Sequence, residues 1–210
     1  MRHRPPRSLL RRLGPRASRL PRGLLARLAL SGGVALAGLG LLLAAPHPLP
    51  VVPYDPAGAF TVDTDLRSES GMGAALIDRY LAARTSLPPL GAAFVAAERA
   101  YGVNARYLVA HALLESGRGT SRIARTFHNL FGWNAVDADP VGQASRFADD
   151  AAGIDFVACQ VSQLYLTPGG RWWGGAPTLR AMNRRYASDP AWAAKVAALA
   201  NELPRGTAAP

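Results

Sequence analysis

A single cysteine, Cys159, in 210 residues leaves no intrachain disulfide to hold the chain together, so a folded domain must rest on a hydrophobic core. Cys159 itself reads as a small apolar residue on a helix rather than as a reactive thiol. Acidic residues are absent from positions 1–27, which hold nine arginines (Arg2, Arg4, Arg7, Arg11, Arg12, Arg16, Arg19, Arg22 and Arg27). Charge of either sign is then absent until Asp55. These two gaps dispose of the reading that the overall charge invites. The chain carries 24 Lys+Arg against 14 Asp+Glu, a formal +10, which on a globular surface would point to nucleic acid or an anionic surface. Without the nine N-terminal arginines, 15 bases and 14 acids remain over 183 residues, a net +1. A body so near neutral gives no support to a nucleic-acid partner. The hydrophobic fraction of 49% excludes a disordered chain.

The uncharged stretch contains Leu28 to Ala45, LALSGGVALAGLGLLLAA. Eighteen helical residues at 1.5 Å each reach about 27 Å, close to the roughly 30 Å hydrocarbon thickness of a bilayer. An arginine-rich flank on one side only predicts residues 1–27 in the cytoplasm and everything after residue 45 outside. Leu43 stands where a signal-peptidase site wants a small residue, which favours a retained transmembrane signal-anchor; secretion after cleavage is the alternative. The Arg11-Arg12 pair is a weak twin-arginine signal in so arginine-rich a stretch.

Five prolines (46, 48, 50, 53 and 56) follow in eleven residues, a spacing that predicts an extended stalk. Polar residues continue it as linker to about residue 72. The domain expected at 73–203 shows no internal repeat, and its pattern is mostly helical. Segments 73–84 and 91–101 carry helix-spaced apolar residues around the Pro88-Pro89 breaker. Asn104 is an expected N-cap for a helix that is apolar on every side except at His111, the mark of a central buried helix. Residues 127–148 break the helical period and are the place for loops or a small β element. Further helices are expected from Asp149 or Asp150, from Thr178, and from Asp189-Pro190, with a tail at 204–210. The fold class is therefore mainly α, α+β at most.

Glu115 is the residue that the pattern isolates. It ends the apolar helix, where partial burial and the negative end of the helix dipole both disfavour its charge. A carboxylic acid kept protonated in this way is what acid-catalysed glycosidic cleavage requires. Pairing with Arg118 or Arg122 at the surface is the other reading. His111, one turn earlier, reads as a packed core histidine, because one His and one Glu do not make a metal site. A second group gathers aromatic and amide side chains: Phe127, His128, Asn129, Phe131, Trp133 and Asn134, then Trp172, Trp173 and Tyr186. Aromatic rings cover the apolar faces of sugars, and neighbouring amides bond their hydroxyl and acetamido groups.

The blocks ARYLVAHALLESGRGTS, FHNLFGWNAVDADP and LRAMNRRYASDPAWAAKVAAL stand in this order over residues 88–203. Together they resemble the glucosaminidase domain of bacterial cell-wall hydrolases, glycoside hydrolase family 73. The resemblance implies a lysozyme-like helical fold with a cleft, and hydrolysis of the β-1,4 bond between N-acetylglucosamine and N-acetylmuramic acid in peptidoglycan. It implies Glu115 as the general acid and Tyr186 beside it in the cleft. For Asn129 to Gly132 it implies a shaping of the cleft, with Asn129, Phe131, Trp133, Trp172 and Trp173 as candidate glycan contacts. Asp189 reads as a helix cap. Two departures stand out: Arg118 occupies a position that is Trp in many relatives, and the segment 133–147 is short where several members supply a second acid. Asp137, Asp139 or Asp149 as a base, or assistance by the substrate's own acetamido group, are the alternatives. No metal or organic cofactor is implied, and the expected partners are glycan strands and, through the N-terminal segment, the cytoplasmic membrane.

Overall fold

The computed structural model describes residues 58–135 and 140–205. The arginine-rich segment, the apolar stretch 28–45, the proline-rich stalk, Asp137 and Asp139 all lie outside the described residues. Among the described residues, no helix is long and apolar enough to cross a membrane.

Eight α-helices carry the fold of the described residues: α1 Ala74–Arg84, α2 Gly91–Tyr101, α3 Ala105–Glu115, α4 Arg122–Phe127, α5 Pro140–Gln143, α6 Asp150–Val161, α7 Leu179–Tyr186 and α8 Trp192–Glu202. A π-helical turn, Ser162–Leu166, continues α6. The β pairing among the described residues is the isolated antiparallel bridge Asp65–Thr178. In the stretch 127–148, where loops or a small β element were expected, the described residues hold the short α5 and no strand.

The central helix is α3, whose residues from Ala105 to Leu113 are all buried. Its start follows from Asn104, whose side chain accepts the Tyr107 N–H and so satisfies one of the orphan amides of the first turn. Ser121, Asp149 and Thr178 cap α4, α6 and α7 in the same way. Helix α3 packs against α2 and α8; α2 also packs against α1 and α6, and α7 against α8. Arg106, on the first turn of α3, is buried as well. Its guanidinium donates to the carbonyls of Ala200 and Leu203 at 3.1 Å and of Pro204 at 2.7 Å, tying α3 to the end of α8.

Residues 60–72, which read as linker, instead wrap onto the helices. Phe60, Leu66 and Met72 enter the core. The Leu66 N–H donates to the Pro177 carbonyl and its own carbonyl accepts from the Asn104 N–H, both at 2.8 Å. The Asn201 side chain bonds both backbone groups of Phe60, at 2.9 and 2.7 Å. Polar composition concealed this because the anchors are three widely spaced apolar side chains and backbone bonds, neither of which gives a period.

Helices α1 and α2 approach so closely at Gly91 that a Cβ there would collide with the Ala74 carbonyl oxygen and lie 2.8 Å from Asp78 Oδ1. Gly91→Ala is therefore expected to cost roughly 1–3 kcal/mol, as overpacking of a closed contact does. Urea unfolding checks this, and a loss under 0.5 kcal/mol would show that the two helices separate freely.

Candidate active site

Where α3 ends, the backbone turns sharply. Gly117, Arg118 and Gly119 all have positive φ (57°, 56° and 85°). That turn leaves Glu115 as the last helical residue, facing a cleft of about 690 Å³. The walls come from the Phe131–Ala135 loop, Tyr165, Trp172, Tyr186, Asp189, Trp192 and Lys195.

Arg118, the alternative partner for Glu115, is bound elsewhere: it donates to both Glu202 oxygens at 2.9 Å. Glu115 accepts instead from Trp192 Nε1 at 2.8 Å. Its half-buried carboxyl is pushed above the ordinary carboxylate range by burial, and the Trp192 hydrogen bond acts in the opposite sense. Burial prevails, because one donor replaces only part of the lost hydration.

His111 touches the same carboxylate, with Nε2 3.8 Å from Glu115 Oε1. This is not an ion pair. His111 is fully buried and burial lowers its pKa to about 3, so its ring is neutral at any working pH. The ring sits edge-on to Phe131, Tyr186 and Trp192, with centroids 4.8–5.3 Å apart. Its Nδ1 meets the Tyr107 hydroxyl at 3.0 Å and its Nε2 the Tyr186 hydroxyl at 2.8 Å. The Tyr186 ring in turn stacks on Trp192 at 4.8 Å.

Among the expected glycan contacts, Phe131, Trp133 and Trp172 line the cleft, whereas Asn129 and Trp173 do not. Asn129 is buried. Its amide donates to the carbonyls of Trp133 and Ser145 at 3.0 Å and accepts from the Trp133 N–H at 2.9 Å. It therefore holds the loop shape and has no reach to a ligand. Gly132, next in that loop, has φ 61° and its Cβ position lies 4.0 Å from Glu115 Oε2, so a side chain there would carry both strain and bulk toward the carboxylate. Trp172 joins the cleft through its ring contact with Tyr165 at 5.1 Å.

The acids considered for a second role separate clearly. Asp149 is not among the cleft-lining residues and spends its carboxylate on the Ala152 N–H at 2.7 Å as the α6 cap. Asp189 reaches the cleft rim, where Lys195 binds it at 2.7 Å and the Ala191 N–H at 2.9 Å; α8 begins at Trp192 rather than at Pro190. The residues that pattern reading missed are Trp192, Tyr165 and Lys195. Trp192 sits on the apolar stripe of α8 and is buried, so its indole N–H, the one polar atom that matters, carries no periodic signal.

Replacing Trp192 by Phe keeps a ring against Tyr186 and removes that donor. The pKa of Glu115 is then expected to rise further, which moves the alkaline limb of the pH–rate profile to higher pH while the plateau stays within about tenfold of the parent. An unmoved or lowered limb would contradict the assignment of this bond.

The helical fold thus brings a single glutamate, Glu115, into a cleft lined by aromatic side chains. The chain belongs to the family described as mannosyl-glycoprotein endo-beta-N-acetylglucosaminidase, the glucosaminidase domain, whose pattern matches residues 91–205. It is 39% identical over 109 residues to the "Putative endo-beta-N-acetylglucosaminidase" of Streptococcus pneumoniae serotype 4 (strain ATCC BAA-334 / TIGR4), covering 52% of this chain and 16% of that protein. The chain thus spans about a sixth of that relative's length. Among solved structures it is similar to S. aureus Autolysin E in complex with the muropeptide NAM-L-Ala-D-iGlu, with TM-score 0.57 and 25% identity over 68% of this chain and 71% of that one. A catalytic glutamate-to-alanine mutant of the same autolysin, in complex with the disaccharide NAG-NAM, superposes with TM-score 0.57 at 24% identity over 69% and 72% of the two chains.

Proposed function

We propose that this protein is a peptidoglycan hydrolase that cleaves the β-1,4 bond between N-acetylglucosamine and N-acetylmuramic acid, with Glu115 as the general acid. The observation that carries the reading is the state of Glu115: half-buried, held by Trp192 at 2.8 Å, with its pKa raised by burial, and open to a cleft. A raised pKa extends the pH range over which the carboxyl keeps its proton, and the protonated acid can deliver it to the glycosidic oxygen as the bond breaks. Family membership, and solved neighbours whose titles name a NAG-NAM disaccharide and a muropeptide, support this substrate class. The neighbour's catalytic residue is a glutamate, and Glu115 is the only glutamate among the described residues that line this cleft.

Trp133, Trp172 and Tyr186 provide ring surfaces for the sugar faces. Phe131 backs the wall. Among the described residues, Asp189 is the other carboxylate at the cleft, and Lys195 and the α8 start hold it below its ordinary pKa, where it remains ionised. A water-activating base would then be Asp137 or Asp139, which follow the cleft-lining segment in the sequence, or the role passes to the substrate's acetamido group.

The N-terminal segment completes the reading. A signal-anchor at 28–45, with the arginines in the cytoplasm, would place the domain outside the membrane, where its polymer lies; cleavage would release it by secretion.

The experiment is digestion of purified peptidoglycan by the full-length chain, with mass spectrometry of the new ends. Reducing N-acetylglucosamine ends are expected. Anhydromuramic ends, one water lighter, would replace hydrolysis by a lytic transglycosylase reaction. Saturable binding to wall sacculi with no new ends would make the domain a binding module.

A further inference from the structure

One buried polar chain in the molecule is left without a role by the proton donor itself: Tyr107, His111, Tyr186 and the Phe131 carbonyl. The distances along it are 3.0 Å from the Tyr107 oxygen to His111 Nδ1, 2.8 Å from His111 Nε2 to the Tyr186 oxygen, and 3.4 Å from the Tyr186 oxygen to the Phe131 carbonyl oxygen. Tyr107 also lies 3.3 Å from Met182 Sδ. A neutral imidazole has one donor and one acceptor, and each tyrosine has one proton, so the chain has a direction. Tyr107 chooses between a ring nitrogen at 3.0 Å and a thioether sulfur at 3.3 Å. Sulfur is the weaker acceptor, so its proton goes to Nδ1.

The geometry points to Tyr107 and His111 as positioning residues for the Tyr186 hydroxyl, a role that rests on the glycan-cleft reading above. Tyr107 fixes His111 as the Nε2–H tautomer. That N–H donates to the Tyr186 oxygen, and the Tyr186 proton is thereby turned away from the histidine, toward the Phe131 carbonyl and the cleft. Its contact there, at 3.4 Å, is the longest in the chain and weak by hydrogen-bond geometry, so an acceptor oxygen of a bound sugar exchanges for it at little cost. In the opposite tautomer Nε2 would accept the Tyr186 proton, turning it inward and away from the cleft. Burial keeps His111 uncharged, so that Nδ1 can accept from Tyr107; an imidazolium would donate at both nitrogens and take from Tyr107 its control of the ring.

Two measurements test it. Nitrogen-15 NMR of histidine in the full-length chain, with His111 identified by its loss in His111→Gln, should show a neutral Nε2–H ring that does not titrate above pH 5. An Nδ1–H ring, or a charged one, overturns the proposal, and this arm needs no substrate, so it stands apart from any failure of peptidoglycan cleavage. In turnover, Tyr107→Phe should lower kcat about tenfold with KM unchanged, and should lower it no further in a Tyr186→Phe background. Independent, multiplying losses would mean that Tyr107 acts by packing alone, and would overturn the coupling.

Discussion

Glu115→Gln is expected to lower kcat on peptidoglycan by roughly 10²- to 10⁴-fold, the range that a positioned proton donor contributes, with KM little changed. The amide keeps the size of the side chain and an oxygen that accepts from Trp192 Nε1, now 2.8 Å from the carboxylate, so the cleft keeps its shape. What disappears is the proton. The same variant has a stability signature of defined sign. The pKa of Glu115 is raised in the folded state, so the folded state is favoured fully below the unfolded carboxylate pKa and loses that contribution as pH rises through the folded value. Removing the carboxyl should therefore raise the melting temperature at pH 7, with the gain shrinking as pH falls through the folded value and gone below the unfolded carboxylate pKa of about 4.3. A residue that served only as a structural ion pair would give the reverse, a loss of stability at neutral pH. Full activity of the variant would remove Glu115 from the chemistry.

Arg106→Met is expected to cost about 3 kcal/mol in urea unfolding. The methionine fills much of the aliphatic volume but makes none of the bonds to the Ala200, Leu203 and Pro204 carbonyls. Hydrogen bonds from a charged donor are each worth about 1.5–3 kcal/mol, and three on one group do not add fully. The exposed end of α8 allows water to replace part of the loss. The cost falls on α8, which carries Trp192, so kcat should drop together with stability rather than independently of it. A change under 0.5 kcal/mol would show that the buried guanidinium is dispensable.

These two residues also show what a sequence of this kind reveals. Helix caps were legible at Asn104 and Thr178, and at Asp149 as one of two adjacent candidates, because such side chains act locally and bond amides three residues on. Glu115 was legible as a lone carboxylate ending an apolar helix. Its partner was not, because Trp192 lies 77 residues away and looks like any other apolar position on α8. Arg106 was passed over for the same reason: a cation reads as surface until the carbonyls that meet it are known. His111 reads correctly as a packed core residue, but its two tyrosine partners give it a direction that packing alone does not convey. Asn129 and Trp173 were expected at the ligand from their residue types, yet Asn129 turns inward onto the backbone of its own loop and Trp173 is not among the cleft-lining residues.

If Glu115 is the acid whose protonation limits the rate, its titration and the rate share one pKa. Carbon-13 NMR of the Glu115 carboxyl in the full-length chain, titrated beside the pH dependence of kcat/KM on peptidoglycan, measures this directly. A Glu115 pKa above the ordinary glutamate value, coincident with the alkaline limb of the rate, is the expected result. A Glu115 that ionises in the ordinary range, or a limb that falls where Glu115 does not titrate, would contradict it.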